Sequence, residues 1–275
     1  MRNLKMTVSC VMVAMVLAIS ANNASAALIH QYRMDDNAAN NTVVDSVGGA
    51  NGTYSRPHNA AQNTDQAHNP DRKEGTGSLD FGPFGNLNES KFEVSSGLNY
   101  GGGGAMTVAF WFSPDVTLTS GTPRVDLASN LSGSTPGGNQ YNFIHNAPAD
   151  GTLGWRLGSG PTILRSTTTT FNAGQWYHLV ATTTAAGASV LYIDGVAEDN
   201  DTAGGWGTEG TFSDFVMGTN GGSFDFDGKL DDVRFYDEAL SAVDVNAIIH
   251  PIPEPASLGL LGVGGLLMLR RRREA

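Results

Sequence analysis

Cysteine is all but missing from this chain. The one residue, Cys10, lies inside an N-terminal apolar run at 8–19, too early in that run for a lipoprotein cysteine. The run follows Arg2 and Lys5 and ends in Ala24-Ser25-Ala26, a small-residue cleavage site. Residues 1–26 therefore read as a secretory signal peptide cut before Ala27. The mature chain then has no thiol, which excludes disulfides and cysteine metal sites. Basic charge is also scarce: 16 Lys and Arg stand against 27 Asp and Glu. Removing the terminal segments sharpens this, since 27–252 holds 10 basic and 25 acidic residues, a net of −15. No patch is left to neutralise phosphates, so nucleic acid is excluded as a partner. Such acidity suits solubility outside the cell, or a divalent cation. Long helical periodicity and fixed-period repeats are absent as well.

What is present is glycine, 35 residues of it, and short apolar runs between Gly, Asn, Pro and Ser breaks. That pattern predicts an all-β sandwich of antiparallel strands in one domain of roughly 225 residues. Residues 27–33 open it. Residues 35–53 are polar and turn-rich, and 55–76 read as a long loop. Residues 106–112 (MTVAFWF) are apolar on both faces and predict a central strand. Residues 176–183 and 189–194 form a hairpin pair, with Asp194-Gly195 turning the chain after the second. Residues 198–201 (EDND) read as an acidic loop. From Phe224 the apolar residues Phe226, Leu230, Val233 and Phe235 recur on one side of an extended segment. The spacing slips between Leu230 and Val233, which predicts a bulge and decides how Asp231 and Asp232 point. Residues 238–241 start a helical turn.

The character changes at Pro251. Pro253-Glu254-Pro255 precedes a 14-residue apolar run, 256–269, and the block 270–273 of four arginines. The run is short of the ~20 residues of a usual membrane helix, although flanking residues can stretch it. The arginines would stay cytoplasmic and place the domain outside. This order closely resembles the PEP-CTERM sorting signal. The resemblance implies a tail, 251–275, with a transmembrane helix that holds an exported protein at the inner membrane until an exosortase removes it. Bacteria with this system typically make an extracellular polysaccharide matrix, so a biofilm matrix or cell-surface destination follows.

Residues 27–250 resemble the laminin-G-like, concanavalin A-like jelly rolls of bacterial surface proteins. The matching pieces are 30–34 (HQYRM), the D-S-x-G-x-x-N-G-T segment 45–53, 78–81 (SLDF), 106–112, 176–183, 191–195 (LYIDG) and 228–241. The resemblance implies a two-sheet antiparallel jelly roll. It also implies a structural calcium near the sandwich edge, held by Asp45, a carbonyl near Asn51, and Asp231 or Asp232. Calcium takes six to eight oxygens, which two early and two late carboxylates with Gly-rich backbone would help supply. The alternative is that Asp45 caps a turn and Asp231 pairs with Arg33 or Arg234.

No catalytic residue is assigned. The E-x-D-x-x-E strand of this fold's glycosidases is absent, as is G-x-S-x-G. Asp225 and Asp227 share a face opposite Phe224 and Phe226, as solvated charge would. His30, His145 and His178 sit in strands without metal-ligand spacing. For sugar binding the candidates are Tyr141, Trp155 and Trp206, aromatics flanked by Gly, Asn and Asp, while Trp111 and Trp176 read as core. The expected function is non-catalytic binding of an extracellular polysaccharide or surface glycan, or adhesion. The alternatives are a structural matrix component without ligand and a glycoside hydrolase of atypical site.

Overall fold

The computed structural model describes residues 26–55, 63–82, 90–99, 105–129, 142–146, 149–156, 163–202, 214–219 and 224–249. In chain order the strands are β1 (Leu28–Tyr32), β2 (Thr42–Val43), β3 (Gly52–Ser55), β4 (His68–Asn69), β5 (Ser78–Asp80), β6 (Lys91–Val94), β7 (Met106–Pro114) and β8 (Asp126–Ser129). They continue as β9 (Asn142–Asn146), β10 (Leu153–Arg156), β11 (Ile163–Arg165), β12 (Tyr177–Thr183), β13 (Ser189–Ile193), β14 (Val196–Asp201), β15 (Phe215–Met217) and β16 (Gly228–Tyr236). Two helices are described, α1 (Thr64–Ala67) and α2 (Ala242–Ile249). Sheet A runs β14-β13-β12-β7-β16-β5-β4, with β1 also paired to β16, and sheet B runs β11-β10-β9-β8-β15-β6-β3-β2. The expected two-sheet sandwich is thus the fold.

Alternation along each strand builds two apolar layers. In β7, Met106, Val108, Phe110 and Phe112 join the core between the sheets, with Phe92, Trp155, Phe215 and Phe235. Ala109 and Trp111 face the other way and pack with Val180, Tyr192 and Tyr236 under Val245 and Ile249 of α2. This is why β7 is apolar on both faces. Burial of each large side chain contributes roughly 1.5–3 kcal/mol. Helix α2 starts where Ser241 and Asp244 cap each other: Ser241 N–H donates to Asp244 Oδ2 at 3.1 Å, and Asp244 N–H donates to Ser241 Oγ at 3.3 Å.

The hairpin of β12 and β13 pairs Leu179 with Ile193 through to Thr183 with Ser189. Asp194 (φ 49°) and Gly195 (φ 81°) then turn the chain into β14, the doubly left-handed turn that suits strand twist. Strand β16 pairs with β1, with Tyr32 opposite Val233, so the ends of the domain lie side by side. Its predicted bulge is present as a register slip between Asp231 and Arg234, with Asp232 at φ 47°.

Two expectations need correction. Residues 196–201 are an edge strand, not a loop, and its carboxylates tie sheet A to sheet B. Asp199 Oδ2 accepts the Arg165 N–H at 2.9 Å, and Glu198 accepts N–H and O–H bonds from Thr167 and Thr168. Burial opposes ionisation of Glu198, but these donors outweigh it and hold its carboxyl below the ordinary range. The stretch expected as one loop, 55–76, contains α1 and β4; residues 56–62 lie outside the described residues. Neither element carries an apolar alternation to announce it.

Candidate functional site

The two ends of the domain meet along a seam of carboxylates. On the early side, Asp45 sits buried at the start of the loop before β3. Its carboxylate accepts the N–H groups of Gln31, Val47, Gly48 and Ala50 at 2.9–3.1 Å. It also takes a 2.6 Å bond from His30 Nδ1. The other ring nitrogen of His30 lies 2.8 Å from the Leu98 carbonyl, so both nitrogens face acceptors. Desolvation works against this carboxylate, yet the His30 and backbone bonds prevail and lower its pKa to about 2. The loop closes tightly on the imidazole: a Cβ at Gly48 would overlap the His30 ring and the Ile29 carbonyl. Asn51 fixes the loop from within by accepting the Asp45 N–H at 3.0 Å.

On the late side, Asp232 Oδ1 accepts Gln31 Nε2–H at 2.7 Å and its Oδ2 pairs with Arg234 at 2.6 Å. Gln31 therefore joins the two sides, its backbone bound to Asp45 and its amide to Asp232. Asp231 is 0 % exposed. It points to the outer face of sheet A, directly opposite Trp111 in the register of β16 and β7. Its Oδ2 accepts the Lys73 and Glu74 N–H groups at 2.7 and 2.9 Å, while its Oδ1 has no hydrogen-bond partner. Burial is the main cause that raises this carboxyl to about 7; the charges of Asp232 and Asp35 add to it, and the two backbone donors oppose it.

Residues 71–74 lie as a strap across that outer face. Asp71 accepts the Trp176 Nε1–H at 2.9 Å and lies 3.8 Å from Lys229 Nζ. Lys73 Nζ stands 4.3 Å from the centre of the Trp111 ring, a cation–π contact. Strand register sets out the floor beneath. Trp111 lies between His178 on β12 and Asp231 on β16, and Ser113 is opposite Lys229. Trp176, one residue before Tyr177, adjoins the same row.

The residues expected to hold calcium do not assemble a cage. Both Asp45 oxygens and both Asp232 oxygens are taken by N–H donors, and the Asn51 side-chain oxygen by the Asp45 amide. Asp231 faces the strap. Among the described residues no three His, Asp or Glu side chains gather in a metal-holding arrangement. The alternative is met in part: Asp45 caps its loop, Arg234 pairs with Asp232 rather than Asp231, and Arg33 pairs with Asp35.

Of the proposed sugar platforms, Trp155 is 0 % exposed. The alternation of β10 turns Leu153 and Trp155 into the core while Arg156 is exposed, so Trp155 offers no surface to a ligand. Tyr141 and Trp206 lie outside the described residues, as do Pro253, Glu254, Pro255 and the signal segment. Trp111 is buried as expected, whereas Trp176 is partly exposed. No described helix is long and apolar enough to cross a membrane. At another rim, a mostly apolar pocket of about 300 Å³ is lined by Val116, Leu118, Thr122, Pro123, Val125 and Asp227.

The sequence profile of the concanavalin A-like lectin/glucanases superfamily matches residues 86–246. The chain belongs to that superfamily. The PEP-CTERM protein-sorting motif matches 251–273 and marks an exported, transiently membrane-anchored protein. No curated protein matches the chain. Among solved structures, it superposes on domain 4 of AbnA, a GH43 extracellular arabinanase from Geobacillus stearothermophilus, determined with arabinotriose. There the identity is 22 %, the TM-score is 0.56, and the match covers 82 % of this chain and 100 % of that one. It also resembles a Trypanosoma rangeli sialidase bound to the inhibitor DANA, at 14 % identity and TM-score 0.56 over 81 % of this chain. This chain spans about a third (32 %) of that sialidase. At these identities the likeness is one of fold.

The superfamily match begins at residue 86, yet β1, β4 and β5 complete sheet A ahead of it. Sequence reading of this concanavalin A-like domain missed Gln31, His30 as the Asp45 partner, and Lys73. Nothing local marks them. Their partners lie from 15 residues away, for His30 and Asp45, to 201, for the Gln31 amide and Asp232.

Proposed function

We propose that this is an exported surface or extracellular-matrix protein whose sandwich binds carbohydrate, or adheres through it, rather than catalysing. The observation that carries this is the employment of its carboxylates. Asp45, Asp126, Asp232 and Glu198 each accept fixed structural bonds from backbone or cationic groups. Glycoside hydrolysis needs two carboxyl groups about 5–10 Å apart across one cleft, free to exchange protons with substrate. A carboxylate bound by several N–H donors is committed to its place. The fold of a domain that holds arabinotriose in AbnA, matched over its full length, supports a binding module. The sorting motif supports delivery through an exosortase to a polysaccharide-bearing surface. The net charge of −15 over 27–252 disfavours a polyanion, so the fitting ligand is a neutral glycan.

Affinity electrophoresis through neutral polysaccharides, including arabinan, tests this reading. Retardation without release of reducing ends is the expected result. Release of reducing ends would move the protein among the hydrolases, and free migration in every gel would leave a structural matrix component.

A further inference from the structure

We propose that the floor under the 71–74 strap on the outer face of sheet A is a saccharide site, and that the strap is the segment a ligand displaces. The inference deepens the carbohydrate-binding reading and rests on it. Its basis is a set of unmet polar atoms. Trp111 Nε1, Ser113 Oγ and Asp231 Oδ1 are all buried and none has a hydrogen-bond partner. Trp111 is 5 % exposed, and Ser113 and Asp231 are 0 % exposed. All three lie on one face of two paired strands, Trp111 opposite Asp231 and Ser113 two residues along β7. Leaving such groups unbonded is costly, so they call for a partner.

The chemistry of that partner follows from the atoms. The indole N–H only donates, a carboxyl oxygen accepts when ionised and donates when it carries the proton, and the serine hydroxyl does either. A hydroxyl that accepts from Trp111 and donates to the ionised Asp231, or accepts from its protonated form, completes both, and neighbouring hydroxyls of one sugar ring reach Ser113. The Trp111 and His178 rings, 4.6 Å apart between centres, and the partly exposed Trp176 supply the apolar faces that pyranose rings pack against.

The strap is held by contacts that a ligand can replace. Lys73 covers the Trp111 ring as a sugar would, and Asp71 holds the Trp176 N–H as a hydroxyl would. The strap is also tied by two backbone bonds to Asp231 Oδ2, which leave Oδ1 for the ligand, by the Ser78 hydroxyl donating to the Asp71 carbonyl at 2.6 Å, and by the Asp71–Lys229 pair. Strap and saccharide therefore compete for one surface, and the affinity of the intact protein is reduced by the population of the closed strap.

Isothermal titration of the full-length protein with cellotriose, laminaritriose and maltotriose tests this. At least one is expected to bind. Trp111→Phe, which keeps a ring and removes the donor, and Ser113→Ala should each weaken binding three- to tenfold, the worth of one hydrogen bond. The double variant Asp71→Ala/Lys73→Ala should tighten it by a similar factor. Should Trp111→Phe fail to fold, Ser113→Ala removes a single hydroxyl and carries the test. Equal binding by wild type and all variants overturns the site and leaves the carbohydrate reading standing. No binding by wild type or by the strap variant overturns the site, and the carbohydrate reading is then decided by the electrophoresis alone.

Discussion

Asp231→Asn is the substitution whose effect changes most with pH. In the folded protein burial keeps the Asp231 carboxyl protonated up to about 7, against an ordinary value of 3.8. Between those values the folded state binds the proton and the unfolded chain does not. Stability therefore falls as pH rises through that window and levels off above it. Each pH unit in the window costs about 1.4 kcal/mol, so the ionised carboxylate costs up to about 4 kcal/mol at pH 8. This is an upper bound, since lifting the strap rehydrates the group at the price of its two amide bonds. Asparagine has the same shape and no charge. Its carbonyl can accept the Lys73 and Glu74 N–H groups in place of Oδ2, and its NH2 takes the position of Oδ1, where the acid proton resides. Denaturant titrations at half-unit steps from pH 4 to 9 should give two curves that meet near pH 4 and diverge above it. The variant should be the more stable at pH 8 by about 2–4 kcal/mol. Parallel curves across the whole range would refute the argument, because they would mean that Asp231 ionises as it does in the unfolded chain.

Other substitutions probe the seam and the core. Asp45→Asn should cost about 3 kcal/mol at pH 7 by leaving N–H donors and His30 without a carboxylate, read as a lowered denaturation midpoint. In the wild type, the stability Asp45 supplies is present above pH 3.8 and lost as pH falls towards about 2; acid titration of wild type against the variant checks this, and its window does not overlap that of Asp231. Gly48→Ala drives a methyl into the His30 ring and the Ile29 carbonyl and should cost about 1–3 kcal/mol, visible as a lower melting temperature. Excess EDTA should leave the melting temperature unchanged, because the seam oxygens already hold N–H donors; a fall of several degrees, restored by calcium, would show a cation in the seam. Trp155→Ala should destabilise by about 3–5 kcal/mol and leave any glycan affinity of the folded fraction intact, as titration at low temperature would show.

The fold was legible where a residue's role is set by its neighbours in sequence. The two-faced apolar run of β7, the Asp194-Gly195 turn and the slip in β16 are written in local spacing, and each is where the spacing puts it. Strand β14 was not legible, because an edge strand tied to the other sheet by Glu198 and Asp199 needs no apolar face. Trp155 misled for the opposite reason. The neighbouring Gly154 suggests a loop or a half-exposed face, but Gly154 lies within β10, paired with Arg165 of β11, and the indole fills the core.

In the seam Asp45 and Asp232 hold N–H donors on both of their oxygens. At the bulge Asp232 turns to Arg234 and to the Gln31 amide of β1, while Asp231 takes the Lys73 and Glu74 N–H groups of the strap. Gln31 is the residue that decides the outcome. Its side chain presents an N–H to Asp232 while its own backbone N–H binds Asp45, so the position between early and late carboxylates is filled by a neutral donor pair. A carboxylate at position 31 would place a third charge there. Gln31→Glu should therefore destabilise the domain by about 1–3 kcal/mol at pH 7 through lost bonding and like-charge repulsion. Added calcium should recover part of that loss in the variant alone, because only the variant has a reason to gather a cation. Recovery of the wild type to the same extent in a melting experiment would mean that the native seam, too, is built for one.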